Sequence, residues 1–282
     1  HTRMTRMSEN KPELAVNYSP ESFQLRENGV IQFDRYKLPD WPELIKEVKG
    51  RFPLYVHFSL SAGLPRSTPV DWGWMREIMA ATGTPFLNLH LNAPNDLDPL
   101  DDFYAQKVVG WMIRDVEEAC RETGPDIVII ENPPWQNSIE PWLLTPALPE
   151  VTQAVVEETG CHFLLDLAHA AISAHSAGIS PFEFISSLPV EHILEMHVTG
   201  IHSYNGRLRD HLGMTEKDWE LFDWALENIR LGNWHCPRLI SFEYGGLGSI
   251  FRWRSDPAVL QRDVPILFAR IQSLASGLEP SS

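Results

Sequence analysis

The sequence predicts an α/β fold, a TIM-type (β/α)8 barrel. Three observations predict it. Short apolar runs alternate with longer amphipathic stretches along most of the 282 residues, as in parallel βαβ units. Several runs are apolar on both faces, as strands covered by helices must be. The runs also end repeatedly on His, Asp or Glu, and in a TIM barrel the C-terminal strand ends carry the active site.

In chain order, strands are expected at Leu14–Tyr18, Leu54–Leu60, Pro85–Leu91, Asp126–Glu131, His162–Leu167, His192–Val198 and Leu239–Tyr244. Helices are expected at Trp41–Val48, Trp72–Ala81, Asp101–Thr123, Pro149–Thr159, Pro181–Ser187, Glu216–Ile229 and Pro257–Ala275. These are seven strands, and the barrel needs eight. The eighth is expected at Val30–Phe33, or else outside the sequence, so one strand is missing or irregular. A doubly wound open sheet is the structural alternative, without a GxGxxG or Walker loop to support it. No repeats, low-complexity segments or linkers divide the chain. A single barrel domain is expected over residues 12–276, with 1–11 a leader outside the fold and 277–282 a tail.

Three cysteines, Cys120, Cys161 and Cys236, are too few and too scattered for a disulfide framework or a CxxC zinc site. A cytoplasmic location is the expectation. No apolar run approaches the roughly 20 residues of a membrane helix. With 38 acidic against 23 basic residues the net charge is −15, which argues against nucleic acid as a partner.

The chemistry-bearing residues sit at the strand ends. His57 lies in Val56-His57-Phe58-Ser59, and His90 closes Leu87-Asn88-Leu89-His90. Glu131 opens Glu131-Asn132-Pro133-Pro134. Asp166 precedes His169 by three. Glu195 and His197 share a face, as residues two apart on a strand do, and Glu243 ends Ile240-Ser241-Phe242-Glu243. Buried carboxylates are costly unless paired or metal-bound. The runs carry almost no Lys or Arg, Lys37 and Arg66 being the nearest outside them, so a metal is expected. Imidazole and carboxylate ligands without thiolate suit zinc, iron or manganese. Glu131 and Glu243 are the candidate catalytic carboxylates.

The segment Gly200–Met214 reads as a loop overhanging this centre. Asp210 and His211 in it are further ligand candidates, and His202 and Arg207 are candidate substrate contacts, with Asn132. The acidic stretch Asn92–Asp102 is expected to cap the following helix rather than bind calcium. Trp72, Trp74, Trp135 and Tyr204 are placed to wall a pocket or to pack against the barrel.

These motifs resemble the multinuclear non-heme iron-dependent oxidative enzymes known from methanobactin biosynthesis, a family within the xylose-isomerase-like barrels. The resemblance rests on His57, Glu131-Asn132-Pro133, Asp166 with His169, Glu195-Met196-His197-Val198-Thr199-Gly200, Asp210-His211 and Glu243. It covers roughly residues 14 to 250. It implies two or three irons held by His57, His90, Glu131, Asp166, His169, His197, Asp210, His211 and Glu243. It implies dioxygen-dependent modification of a peptide or small molecule, with a small partner protein presenting a peptide. Asp210 and His211 are adjacent here, where that family separates such residues by one position. The motifs are also similar to the trinuclear zinc enzyme AP endonuclease IV and to sugar-phosphate isomerases and epimerases. Those likenesses imply a zinc-dependent phosphodiester hydrolase or a divalent-metal isomerase as alternatives. A barrel that binds without chemistry is the non-enzymatic one.

Overall fold

A computed structural model describes residues 11–277. Residues 1–10 and 278–282 of the expected leader and tail lie outside the described residues. The strands are β1 (Glu13–Asn17), β2 (Arg35–Pro39), β3 (Leu54–His57), β4 (Ser61–Ala62), β5 (Leu87–Leu91), β6 (Val128–Glu131), β7 (His162–Asp166), β8 (Ile193–Val198), β9 (Gly200–Tyr204), β10 (Arg207–Leu212) and β11 (Leu239–Phe242). Nine of them form one sheet in the order β3-β2-β1-β11-β8-β7-β6-β5-β4, and β9 and β10 pair separately. Every pairing in the large sheet is parallel.

The sheet closes because β3 and β4 are two halves of one stave. The first half pairs with β2 and the second with β5. Asn88 spans the break between them: its side chain accepts from Phe58 N at 2.7 Å and donates to Phe58 O at 2.9 Å. Eight staves thus make a barrel, and the open-sheet alternative falls. Helices from Pro20–Glu27 to Pro257–Gly277 cover it outside. The main apolar core lies between helices and strands. Ala15, Tyr55, Phe86, Ile129, Leu164, Leu194 and Leu239 form a second, separate buried cluster, consistent with the filled interior of such barrels.

The eighth stave is β2, not Val30–Phe33. Ile31 and Phe33 are buried, but the chain there is not in a strand. β2 reads Arg-Tyr-Lys-Leu-Pro. Its charged residues hide a strand whose Tyr36 and Leu38 join the outer core, while Lys37 on the opposite face is buried all the same.

The segment expected as a loop after β8 is a β-hairpin. Its turn, Asn205-Gly206, has positive φ at both residues, 52° and 75°, which suits the turn to strand twist. Gly200 starts it beneath Gly213: a Cβ there would lie 1.9 Å from the Gly213 carbonyl oxygen. Among the described residues three α-helices lie outside those expected from the sequence, the short Leu144–Ala147 being one. Pro20–Glu27 is held by a reciprocal Ser19–Ser22 capping box, and Leu167–Ala177 starts directly on Asp166. The long helix Asp102–Thr123 is capped by Asp101, as expected of the acidic stretch.

Candidate metal centre

The parallel register delivers the strand-end residues to one level. His57, His90, Glu131, Asp166 and His197 come from β3, β5, β6, β7 and β8, and Glu243 follows β11. Glu131 stands between two groups of imidazoles. Its Oε2 lies 3.4 Å from His57 Nε2 and 3.2 Å from His90 Nε2, and its Oε1 lies 3.4 Å from His169 Nδ1 and 3.7 Å from His197 Nδ1.

Asp166 serves the fold and the centre with different atoms. One oxygen caps the helix Leu167–Ala177, accepting from His169 N at 2.8 Å. The cap sets the first helical turn, which turns His169 back so that its Nε2 lies 3.5 Å from the other oxygen, Oδ2. Asn132 holds this corner in place. Its side-chain amide bonds both the N–H and the C=O of Asp166, at 2.9 and 3.0 Å. Asn132, expected as a substrate contact, thus has its side-chain amide engaged with the Asp166 backbone.

The hairpin resolves the adjacency of Asp210 and His211. Neighbours on a regular strand face opposite ways. Here the register shifts between Arg209 and Leu212, and His211 takes a positive φ of 57°. This bulge turns both residues toward the barrel mouth. Asp210 Oδ2 reaches His169 Nε2 at 3.0 Å, and His211 Nε2 lies 3.8 Å from Asp210 Oδ2. His202 and Arg207, expected as substrate contacts, do not join them. His202 is exposed and bonds the Gly213 carbonyl at 2.7 Å within the hairpin, and Arg207 is exposed at its tip.

Each imidazole gives one ring nitrogen to a neighbouring group and presents the other to the centre, the usual way of fixing a ligand tautomer. His90 Nδ1, His169 Nδ1 and His211 Nδ1 face the carbonyls of Leu60, Asn132 and Glu243, at 3.2, 2.9 and 3.1 Å. His57 Nδ1 faces the Tyr55 hydroxyl at 3.3 Å. His197 Nε2 lies 2.8 Å from Glu195 Oε1, whose other oxygen accepts from Tyr55 at 2.7 Å. Glu195 is thus a support of His197, a role its place two residues away only hints at.

Charge in the centre follows from burial and proximity. Burial, with the Lys37 charge nearby, pushes His57 down to about 3, so it is neutral and free to coordinate. Burial also opposes charge on His169, but Asp166, Asp210 and Glu131 outweigh it and raise it to about 10. Burial opposes ionisation of Asp210, yet His211 and His169 bring it down to about 2. Glu131 is held well below the carboxylate range by His90, His197 and His57, despite burial.

A metal fits these residues. Glu131 Oε2, Asp166 Oδ2 and His197 Nδ1 are buried with no hydrogen-bond partner, a cost that bound cations would offset. Ligand atoms of His57, His90 and Glu131 lie within 4.8 Å of one another, as do those of Glu131, Asp166 and His197, and those of His57, Glu195 and His197. Separations of this order bracket an ion with ligand bonds near 2 Å. All the donors are nitrogen or oxygen, and burial keeps the three thiols protonated, at about 11 for Cys120, 12 for Cys161 and 11 for Cys236.

Glu243 departs from the expected pattern. It belongs to none of these groups and is ion-paired with Lys37. The strand ends are therefore not free of cations, and Glu243 is not an unpaired catalytic carboxylate. The charged residues of β2 mask the strand that carries Lys37 to this level.

Comparison with known proteins agrees with this picture. Residues 40–240, more than half of the chain, match the family described as RiPP precursor modification enzyme MbnB/TglH/ChrH. A UPF0276 protein of Acaryochloris marina is 21% identical over 226 residues, covering 75% of this chain and 74% of that protein. Among solved structures, an L-ribulose 3-epimerase superposes with a TM-score of 0.59 at 15% identity, over 94% of this chain and 96% of its own. A family 2 AP endonuclease from Brucella melitensis reaches 0.52 at 12% identity, over 88% and 96%. At such identities the structural likenesses establish the fold, a xylose-isomerase-like TIM barrel. With the family match and the ligand clusters at its strand ends, the chain is a metal-dependent TIM-barrel enzyme and belongs to the MbnB/TglH/ChrH family of RiPP precursor modification enzymes.

Proposed function

We propose that this enzyme is a multinuclear non-heme iron oxidase that modifies a peptide, presented by a small partner protein. The observation that carries the reading is Glu131, whose two oxygens face different groups of imidazoles. A single site needs about four to six ligands, and the centre gathers more donors than that around this shared carboxylate. Bound iron supplies the redox chemistry by which dioxygen is used. Glu131 with His57 and His90 would hold one ion, and Glu131 with Asp166 and His197 the next. His169, Asp210 and His211 would extend the centre under the hairpin.

The substrate site in this reading is the cavity of about 270 Å³ beside His57, His90 and His211, walled by Tyr18, Trp41 and Phe251. Arg254 also lines it. Its guanidinium rests 4.4 Å from the Phe251 ring centroid, and its Nε is buried with no hydrogen-bond partner. In a chain of net charge −15, no ion pair to Arg254 is found among the described residues. A carboxylate of the peptide is the partner this cation suits. Arg254→Gln is expected to raise KM for the peptide about 10- to 100-fold, from the loss of a charged hydrogen bond. Ion content should stay unchanged, and an unaltered KM would remove Arg254 from the substrate site.

The oxidase reading is tested on protein purified without oxygen or chelator. Elemental analysis is expected to find two or three irons per chain, and peptide addition in air to trigger oxygen uptake. Zinc in place of iron, with no uptake, would defeat it in favour of a hydrolase.

A further inference from the structure

Lys37 is a buried lysine at the level of the centre. Lysine is almost never fully buried without a partner. Its partner is Glu243, across β1, which lies between β2 and β11 in the sheet. The ammonium also lies 2.9 Å from His197 Nε2 and 5.9 Å from the Tyr55 ring centroid. Glu243 itself faces the centre: its Oε1 is 3.5 Å from His197 Nδ1 and its Oε2 is 3.6 Å from His211 Nδ1.

Glu243 differs from the two carboxylates that stand beside His197 in the centre. Glu131 and Asp166 each keep a buried oxygen without a hydrogen-bond partner, and each belongs to a group with metal-ligand spacing. Glu243 has neither property, because Lys37 already supplies its counter-charge. A carboxylate neutralised by a fixed ammonium has little to gain from a second cation, and the ammonium repels an ion brought close to it.

We propose that Lys37 stands in for a metal ion at Glu243, withdrawing this carboxylate from the ligand set and lowering by one the number of ions the centre holds. The inference rests on the multinuclear metal reading above. It assigns Lys37 a structural charge in the centre, and it makes the β2 residue at this position a determinant of ion number.

The test counts ions. Parent, Lys37→Met and the double variant Lys37→Met/Glu243→Gln are stripped with chelator, reloaded with excess ferrous iron without oxygen, desalted and analysed for iron per chain. Lys37→Met frees Glu243 and is expected to bind one ion more than the parent. The double variant removes both charges together, so it leaves no buried charge unpaired and should fold, as circular dichroism will check. It is expected to bind as many ions as the parent. An unchanged or lower count in Lys37→Met would overturn the proposal. So would a count below the parent in the double variant, which would make Glu243 a ligand, or a gain in both, which would make the extra ion independent of Glu243. Iron in none of the three would instead refute the metal reading beneath it, and the proposal with it.

Discussion

Glu131→Gln is expected to cost the protein more than one bound ion while leaving the barrel folded. One Glu131 oxygen faces His57 and His90, and the other faces His169 and His197. Glutamine keeps the shape but replaces one oxygen with an NH2 group that cannot coordinate and leaves the other as a neutral, weaker carbonyl donor. In the proposed multinuclear reading, one ion position would lose its Glu131 donor, the other would keep only a weak neutral one, and both would lose a shared negative charge. The strand survives because its neighbours Ile129 and Ile130 are fully buried in the two apolar layers and are untouched. With no metal bound, burial opposes the Glu131 charge, but His90, His197 and His57 outweigh it and hold the carboxyl well below its usual range. The charge is therefore net stabilising, and the metal-free variant should melt below the metal-free parent while still folding. Metal content and thermal melts of both proteins decide the matter. Full ion content in Glu131→Gln would show that it bridges nothing.

Glu195→Gln should lower metal affinity 10- to 100-fold, the usual cost of losing a hydrogen-bonded group behind a ligand. Glu195 fixes His197 by accepting from Nε2, which leaves Nδ1 directed at Glu131 and Asp166. A neutral amide accepts more weakly and leaves the imidazole less basic. It can also present its NH2 to Nε2, which would favour the wrong tautomer. Glu195 also has ligand spacing with His57 and His197, but its two oxygens are taken by His197 and Tyr55, so, unlike in Glu131→Gln, the ion count at saturation should match the parent. Competition with a chelator measures the difference. Equal chelator midpoints for parent and variant would mean that Glu195 only packs.

Much of this was legible in the sequence, for local reasons. Period-two alternation, strand length and apolar runs bounded by helical stretches define seven staves, and they place His57, His90, Glu131, Asp166 and His197 at their ends without knowledge of pairing. Two segments were harder, β2 and the hairpin. β2 was hidden because its inward residue is charged, and a charged residue reads as solvent-facing until its partner is known. The hairpin carried an Asn205-Gly206 signal that stood in plain view. Its bulge, however, depends on cross-strand register, so the fate of Asp210 and His211 could not be read from their spacing. Asn132 and Glu195 were visible as polar residues near ligands, but their use as supports rests on contacts with Asp166, His197 and Tyr55.

The sequence by itself determined a barrel with nitrogen and oxygen ligands at its mouth, because strand periodicity and ligand type are properties of short segments. Only the tertiary structure decided which carboxylate is paired with a cation of the chain itself. Glu243 and Glu131 both follow apolar strands and read alike along the chain. They differ because Lys37, more than two hundred residues before Glu243, reaches it across β1, while Glu131 meets only imidazoles. Pairing of buried charges depends on distance in space, and closing a parallel barrel brings its first staves against its last.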